Sequence, residues 1–152
     1  MQISPRKIQK SFSYDESIDV LWWRWTSHEG LKTFFGKDNH IELKEGGAFE
    51  IYFLLDNPIG LRGSESCSII QFKEFEQLSF TWNAPPHLEM ARNSPHKTIV
   101  NISFYKELNH KTLLTINHSN WPQDENWNEV FNYFQNAWDL VLESLKQAIK
   151  QI

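Results

Sequence analysis

The chain has 152 residues, with 15 Lys and Arg against 19 Asp and Glu and a formal charge of −4, a balance that argues against a general nucleic-acid role, because phosphate binding needs a concentrated basic surface. Its single cysteine, Cys67, rules out an internal disulfide and points to a reducing, cytoplasmic setting. The opening MQISPRKIQKSF lacks the apolar run of a signal peptide, and no stretch approaches the length of a membrane span. One domain over residues 1–152, with a proper core, is expected at this length. Aromatic residues make up 14%, including seven Trp and eleven Phe, enough to wall a cavity as readily as to fill a core.

Taken in order, Lys7 to Phe12 reads as a first strand. Tyr14-Asp15-Glu16-Ser17 offers a helix start, and Ile18, Leu21, Trp22 and Trp25 follow at helical spacing through Thr26. A second short helix is expected from Glu29 to Phe35, ended by Gly36. The period then changes to two. Ile41 and Leu43 alternate before the turn Glu45-Gly46-Gly47, and Phe49, Ile51 and Phe53 alternate after it, which predicts a hairpin with a positive φ at one of the glycines. A break at Asp56 to Gly60 leads to a longer strand from about Leu61 to Phe72. Leu78, Phe80 and Trp82 alternate, as do Val100, Ile102 and Phe104, and Thr112, Leu114, Ile116 and His118 share one face. The polar loop Asn83 to Pro95, with three prolines, reads as mobile.

The stretch from Asp124 to Lys150 has neither Gly nor Pro. Trp127, Phe131, Phe134, Trp138, Val141, Leu142, Leu145 and Ile149 fall at steps of three and four, so they line one face of a helix of roughly 40 Å, with Asp124 as its N-cap. Such a face needs a broad apolar partner. Consecutive strands with short turns make an antiparallel sheet, so the fold class is α+β, with one face of the sheet meeting the long helix; strong curvature would let the sheet wrap the helix and leave space between them.

The segments Leu21-Trp22-x-x-Trp25-Thr26, Leu31 with Phe34-Phe35, Gly46-Gly47-x-Phe49, Pro58-x-Gly60 with Gly63, Leu78-x-Phe80-Thr81-Trp82, Thr112-x-Leu114-x-Ile116-x-His118, and Trp138 with Leu142 and Leu145 stand in this order along the chain. Together they resemble the START-like, helix-grip superfamily and, within it, the AHSA-type proteins named after the activator of the heat-shock ATPase. The resemblance covers nearly the whole chain. It implies a helix-grip fold, a curved antiparallel sheet of about seven strands wrapped on the C-terminal helix, with two short helices after the first strand. One departure is Ala137, where the family usually has Gly before the helix Trp; a methyl there narrows any space beside the helix.

No phosphate loop, HExxH, GxSxG or zinc-spaced cysteine pair is present, so no metal and no cofactor is expected. Trp22, Trp25, Trp82, Trp127, Phe131, Phe134 and Trp138 either wall a ligand cavity or fill the core solidly. His118 ends an apolar strand face; it can polarise a ligand, or it is a hydrogen-bonded structural histidine. Glu65 on its strand is expected to face water, and Cys67 to be a small core residue. If the sheet curves, Phe53, Trp82, His118, Phe134 and Trp138 converge near the middle of the long helix as a ligand site, with His118 its only titratable group.

Three functions follow. The first, implied by the resemblance, is binding of a small apolar, aromatic or lipid-like molecule. The second is a co-chaperone-like interaction module with a chaperone or other protein partner. The third, ranked last because no pair of acid–base residues converges, is a polyketide cyclase-like enzyme.

Overall fold

The computed structural model describes residues 1–150; the domain end expected at Ile152 lies outside them. Strand β1 (Ile8–Tyr14) is followed by α1 (Ile18–Thr26) and α2 (His28–Lys32). Six strands come next, β2 (Asp38–Ile41), β3 (Phe49–Tyr52), β4 (Ile69–Lys73), β5 (Gln77–Trp82), β6 (Thr98–Lys106) and β7 (Thr112–Ser119), with a short helix α3 (Glu89–Arg92) between β5 and β6. The long helix α4 (Asn128–Lys150) closes the chain. Asp124 caps a 3₁₀ turn at Glu125–Trp127 that leads into α4, its side chain accepting from the Asn126 amide at 2.9 Å.

The main sheet runs β1-β7-β6-β5-β4, antiparallel throughout, and β2-β3 form a separate hairpin. The two are stitched together at the start of β3. Ile69 donates to the Gly47 carbonyl at 2.8 Å, Phe49 to Cys67 at 3.0 Å, and Ala48 bridges Ser68. Gly46, at the hairpin turn, takes φ +76°, the conformation that the turn between two alternating strands demands.

Period-two patterning sets the inner face. In β6, Val100, Ile102 and Phe104 are buried, and in β7, Leu114, Ile116 and His118. The register lays Ile8, His118, Val100 and Phe80 side by side across four strands. Against this face α4 presents Val130, Phe134, Trp138, Leu142 and Leu145, steps of four and three. Phe131, Val141 and Ile149, expected on the same face, flank it half-buried.

Two polar ties sit inside this largely apolar interface. Trp138 Nε1 donates to His118 Nδ1 at 2.9 Å, and His118 Nε2 lies 2.6 Å from Thr98 Oγ1. An indole nitrogen only donates, so Nδ1 is the acceptor, the ring proton is on Nε2, and the imidazole is neutral. Thr98 Oγ1 passes the chain on to the Trp82 carbonyl at 3.2 Å. Tyr14 adds a second tie, its hydroxyl donating to the Leu142 carbonyl at 2.9 Å.

Two expectations are corrected. The strand expected from Leu61 begins only at Ile69, because residues 54–66 are folded around a side chain. Glu65, rather than facing water, accepts from the amides of Gly60 (2.8 Å), Arg62 (2.9 Å) and Gly63 (2.7 Å). The loop Asn83 to Pro95, expected to be mobile, contains α3 and is tied to the first loop by Arg92. That side chain donates to the carbonyls of Gly63, Ala84 and Gly60 and pairs with Glu65 at 3.1 Å. Gly63 has no room for a side chain, since a Cβ there would lie 1.9 Å from the Ile51 carbonyl oxygen.

Two outcomes are expected. Trp138→Ala destabilises the fold by about 3–5 kcal/mol in a chemical melt, the cost of deleting a large buried aromatic; a variant indistinguishable from wild type means that α4 is not docked as described. The second concerns acid. Desolvation pushes the His118 imidazole down from 6.5 to about 3. The unfolded chain therefore takes up a proton near pH 6.5 that the folded chain refuses until about pH 3, and stability falls by about 1.4 kcal/mol for each pH unit descended within that window. His118→Gln removes this contribution, so the stability difference between neutral and mildly acidic solution is smaller in the variant; an unchanged difference contradicts the assignment.

Candidate functional site

Helix α4 packs on the inner face of the main sheet, and an open space lies between it and the segments that follow α2, β3 and β5. A cleft of about 470 Å³ remains there. Its floor and walls are aromatic. Phe34 and Phe35 come from the turn after α2, Trp82 from the end of β5, and Phe134 and Trp138 from successive turns of α4, with Ala137 and Val141 beside them. Phe35 is the hub, with its ring centroid 5.7 Å from Trp82, 5.9 Å from Trp138 and 6.1 Å from Phe53. Trp82 and Trp138 stand 6.0 Å apart. These spacings are those of rings in contact. Trp138, whose indole nitrogen is bonded to His118, is at the same time part of the cleft wall.

Four of the five residues expected at the site line this cleft, namely Phe53, Trp82, Phe134 and Trp138. His118 does not. It is fully buried behind the wall, with its ring centroid 5.1 Å from Phe134 and 5.9 Å from Trp138 and both nitrogens bonded to protein. It holds two of the lining rings in place and is not available to a ligand. The only titratable group of the expected site is therefore withdrawn from it, and the histidine that lines the cleft is His87. Phe53 also differs from its expectation of an inward strand position, being 51% exposed at the rim. β3 ends at Tyr52, and the amides of Phe53 and Leu54 both turn to the Arg62 carbonyl, which breaks the alternation.

Phe35, Arg62, His87 and Tyr133, not among the five expected site residues, also line the cleft. The Phe34-Phe35 pair before Gly36 was a visible signal for the first. Nothing local marks the other three, which reach the rim from two loops and the outer shoulder of α4. The His87 ring meets Tyr133 edge-on at 5.5 Å. Ala137 stands in the wall, where a methyl occupies space a glycine would leave open. Of the seven aromatic residues weighed between cavity and core, Trp22 and Trp25 pack solidly with Phe104 and Phe34, whereas Trp82, Phe134 and Trp138 serve both purposes.

The rim is rigidly built. The Glu65 carboxyl would be raised by burial, but the backbone amides of Arg62, Gly63 and Gly60 outweigh that and hold it below the usual carboxylate range. Cys67, beneath the same loop, is buried, and desolvation pushes its thiol up to about 12, so it is an inert core residue. Among the described residues no three His, Cys, Asp or Glu side chains gather as metal ligands, and no helix is long and apolar enough to cross a membrane.

Solved structures share this architecture. Protein MLL2253 from Mesorhizobium loti superposes with a TM-score of 0.75 at 17% identity, over 96% of this chain and 98% of that one. An Hsp90 activator from Plasmodium falciparum does so at 0.72 and 18%, over 95% and 96%. CalU16 from Micromonospora echinospora gives 0.71 and 20%, over 96% and 77%. At such identities the likeness establishes the fold alone. No curated protein sequence matches this chain. The model of one protein family, Activator of Hsp90 ATPase homolog 1-like protein, matches residues 15–150, nearly the whole length. With the helix-grip arrangement of seven strands, two short helices and a long C-terminal helix, the chain belongs to the Activator of Hsp90 ATPase homolog 1-like family.

Proposed function

We propose that this protein binds a small apolar or aromatic molecule in the cleft between α4 and the hairpin side of the sheet. The observation that carries this is the cleft itself, about 470 Å³ walled by Phe35, Phe53, Trp82, Phe134 and Trp138, within the size range of small-molecule sites and lined as such sites are. Rings that could have closed on one another instead stop at contact distance around an open space. Ala137 keeps the space short of what a full lipid would need, which favours a compact ligand. A cytoplasmic protein of one domain, with Cys67 reduced and buried, fits this reading.

The family match supports a second reading, a co-chaperone-like interaction module. The Plasmodium falciparum relative in fold is an Hsp90 activator, and here the apolar side chains of Phe53, Leu54 and Leu140 are exposed around the cleft mouth, Leu140 to 72%. A partner that covers the mouth would bury them. The two readings part on one measurement, the ATPase rate of Hsp90 with this protein added in excess; an unchanged rate sets the second aside. A polyketide cyclase-like activity finds least support, since the titratable side chains lining the cleft are Arg62, His87 and Tyr133, with no carboxylate to complete an acid–base pair.

Titration with small aromatic and fatty-acid probes, read by the tryptophan signal, is expected to saturate for wild type. Ala137→Leu fills the cleft without removing any buried side chain, and should weaken binding by about tenfold or more while the melting curve stays near that of wild type. Absence of saturable binding to wild type, or undiminished binding to both Ala137→Leu and Phe134→Ala, removes the proposal.

A further inference from the structure

We infer that the cleft is selective for a small carboxylate, with the apolar body of the ligand on the aromatic floor and its acid group on the Arg62 guanidinium at the mouth. This rests on the ligand-binding reading above and adds the charge of the ligand to it.

The charge pattern of the lining is one-sided. No Asp or Glu lines the cleft, and Arg62 supplies its only permanent charge. Arg62 is half-buried and held from one edge. Its amide is bound to Glu65, and its Nε donates to the Asn57 carbonyl at 2.8 Å. Its two terminal nitrogens have no hydrogen bond or ion pair among the described residues. A guanidinium fixed by Nε keeps its fork oriented, and a fork is the shape that meets a carboxylate with two parallel N–H donors.

Glu65, whose carboxylate binds the Arg62 amide, does not pair with the guanidinium. Glu65 is occupied by Arg92 at 3.1 Å and by three backbone amides, so its charge is matched within the loop. No salt bridge among the described residues engages Arg62, and it is the one permanently charged side chain in the lining of an apolar cleft. The chain as a whole carries −4, so its general field repels anions, and any preference for them must be local. Next to low-dielectric ring surface, a charge-assisted pair is stronger than at an open surface.

The test uses two probes with one body, 2-naphthoic acid and 2-naphthamide, titrated calorimetrically into the full-length protein at neutral pH. The acid should bind wild type about tenfold tighter or more. Arg62→Met keeps the stem and removes the charge; it should bring the acid down to the affinity of the amide while leaving the amide unchanged, and Arg62→Lys should restore part of the preference. Raising salt to about 1 M should narrow the gap in wild type, a readout that needs no variant. Equal affinity of the two probes for wild type overturns this inference and leaves the apolar cleft standing. Equal weakening of both probes by Arg62→Met also overturns it, since Arg62 would then only pack the wall. Failure of both probes to bind removes the cleft reading and this inference together.

Discussion

The hydrogen bond from Trp138 to His118 is the constraint on which the site depends. It joins the middle of α4 to β7 inside a largely apolar interface, where each partner unpaired would cost about 1–3 kcal/mol. Apolar packing holds the helix on the sheet but is indifferent to small rotations and slides. A donor and an acceptor that must meet are not. The chain from Trp138 through His118 and Thr98 to the Trp82 carbonyl fixes the rotation of α4 and the end of β5 together. Trp138 and Trp82 are also two faces of the cleft, so the same network that docks the helix sets the shape of the space beside it.

A second network fixes the other side. Arg92 and Glu65 gather two loops that, by composition, have little reason to be ordered. The pair is largely buried, and each of its members is bonded to backbone as well as to the other. A pair of this kind adds little net stability once desolvation is counted, but removing one member strands the other. Its effect is geometric: it closes residues 54–66 over Cys67 and brings Phe53 and Arg62 to the rim. The cleft thus lies between a helix positioned by a neutral network and a loop positioned by an ionic one. The hydrophobic effect supplies the cohesion, and the polar bonds decide where the empty space falls.

What was legible in the sequence follows the same division. The course of α4 could be read because a run without Gly or Pro carries its period in adjacent residues, and β5 to β7 because alternation is equally local. The aromatic identity of the site was legible too, since Trp82, Phe134 and Trp138 belong to those elements. What escaped depends on partners distant in sequence. His118 was visible on an apolar face, but Thr98 and Trp138 lie twenty residues away on either side, and only their meeting makes it structural. The order of residues 54–66 comes from Glu65 bonding to backbone around it and from Arg92 reaching back across β4 and β5, which no periodicity encodes. Phe53 was misplaced for the same reason, because the strand stops where the loop captures its amides.

The most direct measurement follows the side-chain nitrogens of His118 and Trp138 by NMR while a small aromatic probe is added. The account predicts that His118 remains neutral with its proton on Nε2 through mildly acidic pH, and that the Trp138 indole signal moves on probe addition while the imidazole keeps its tautomer. An imidazole that titrates near its ordinary value, or a Trp138 signal indifferent to a probe that binds, would contradict it.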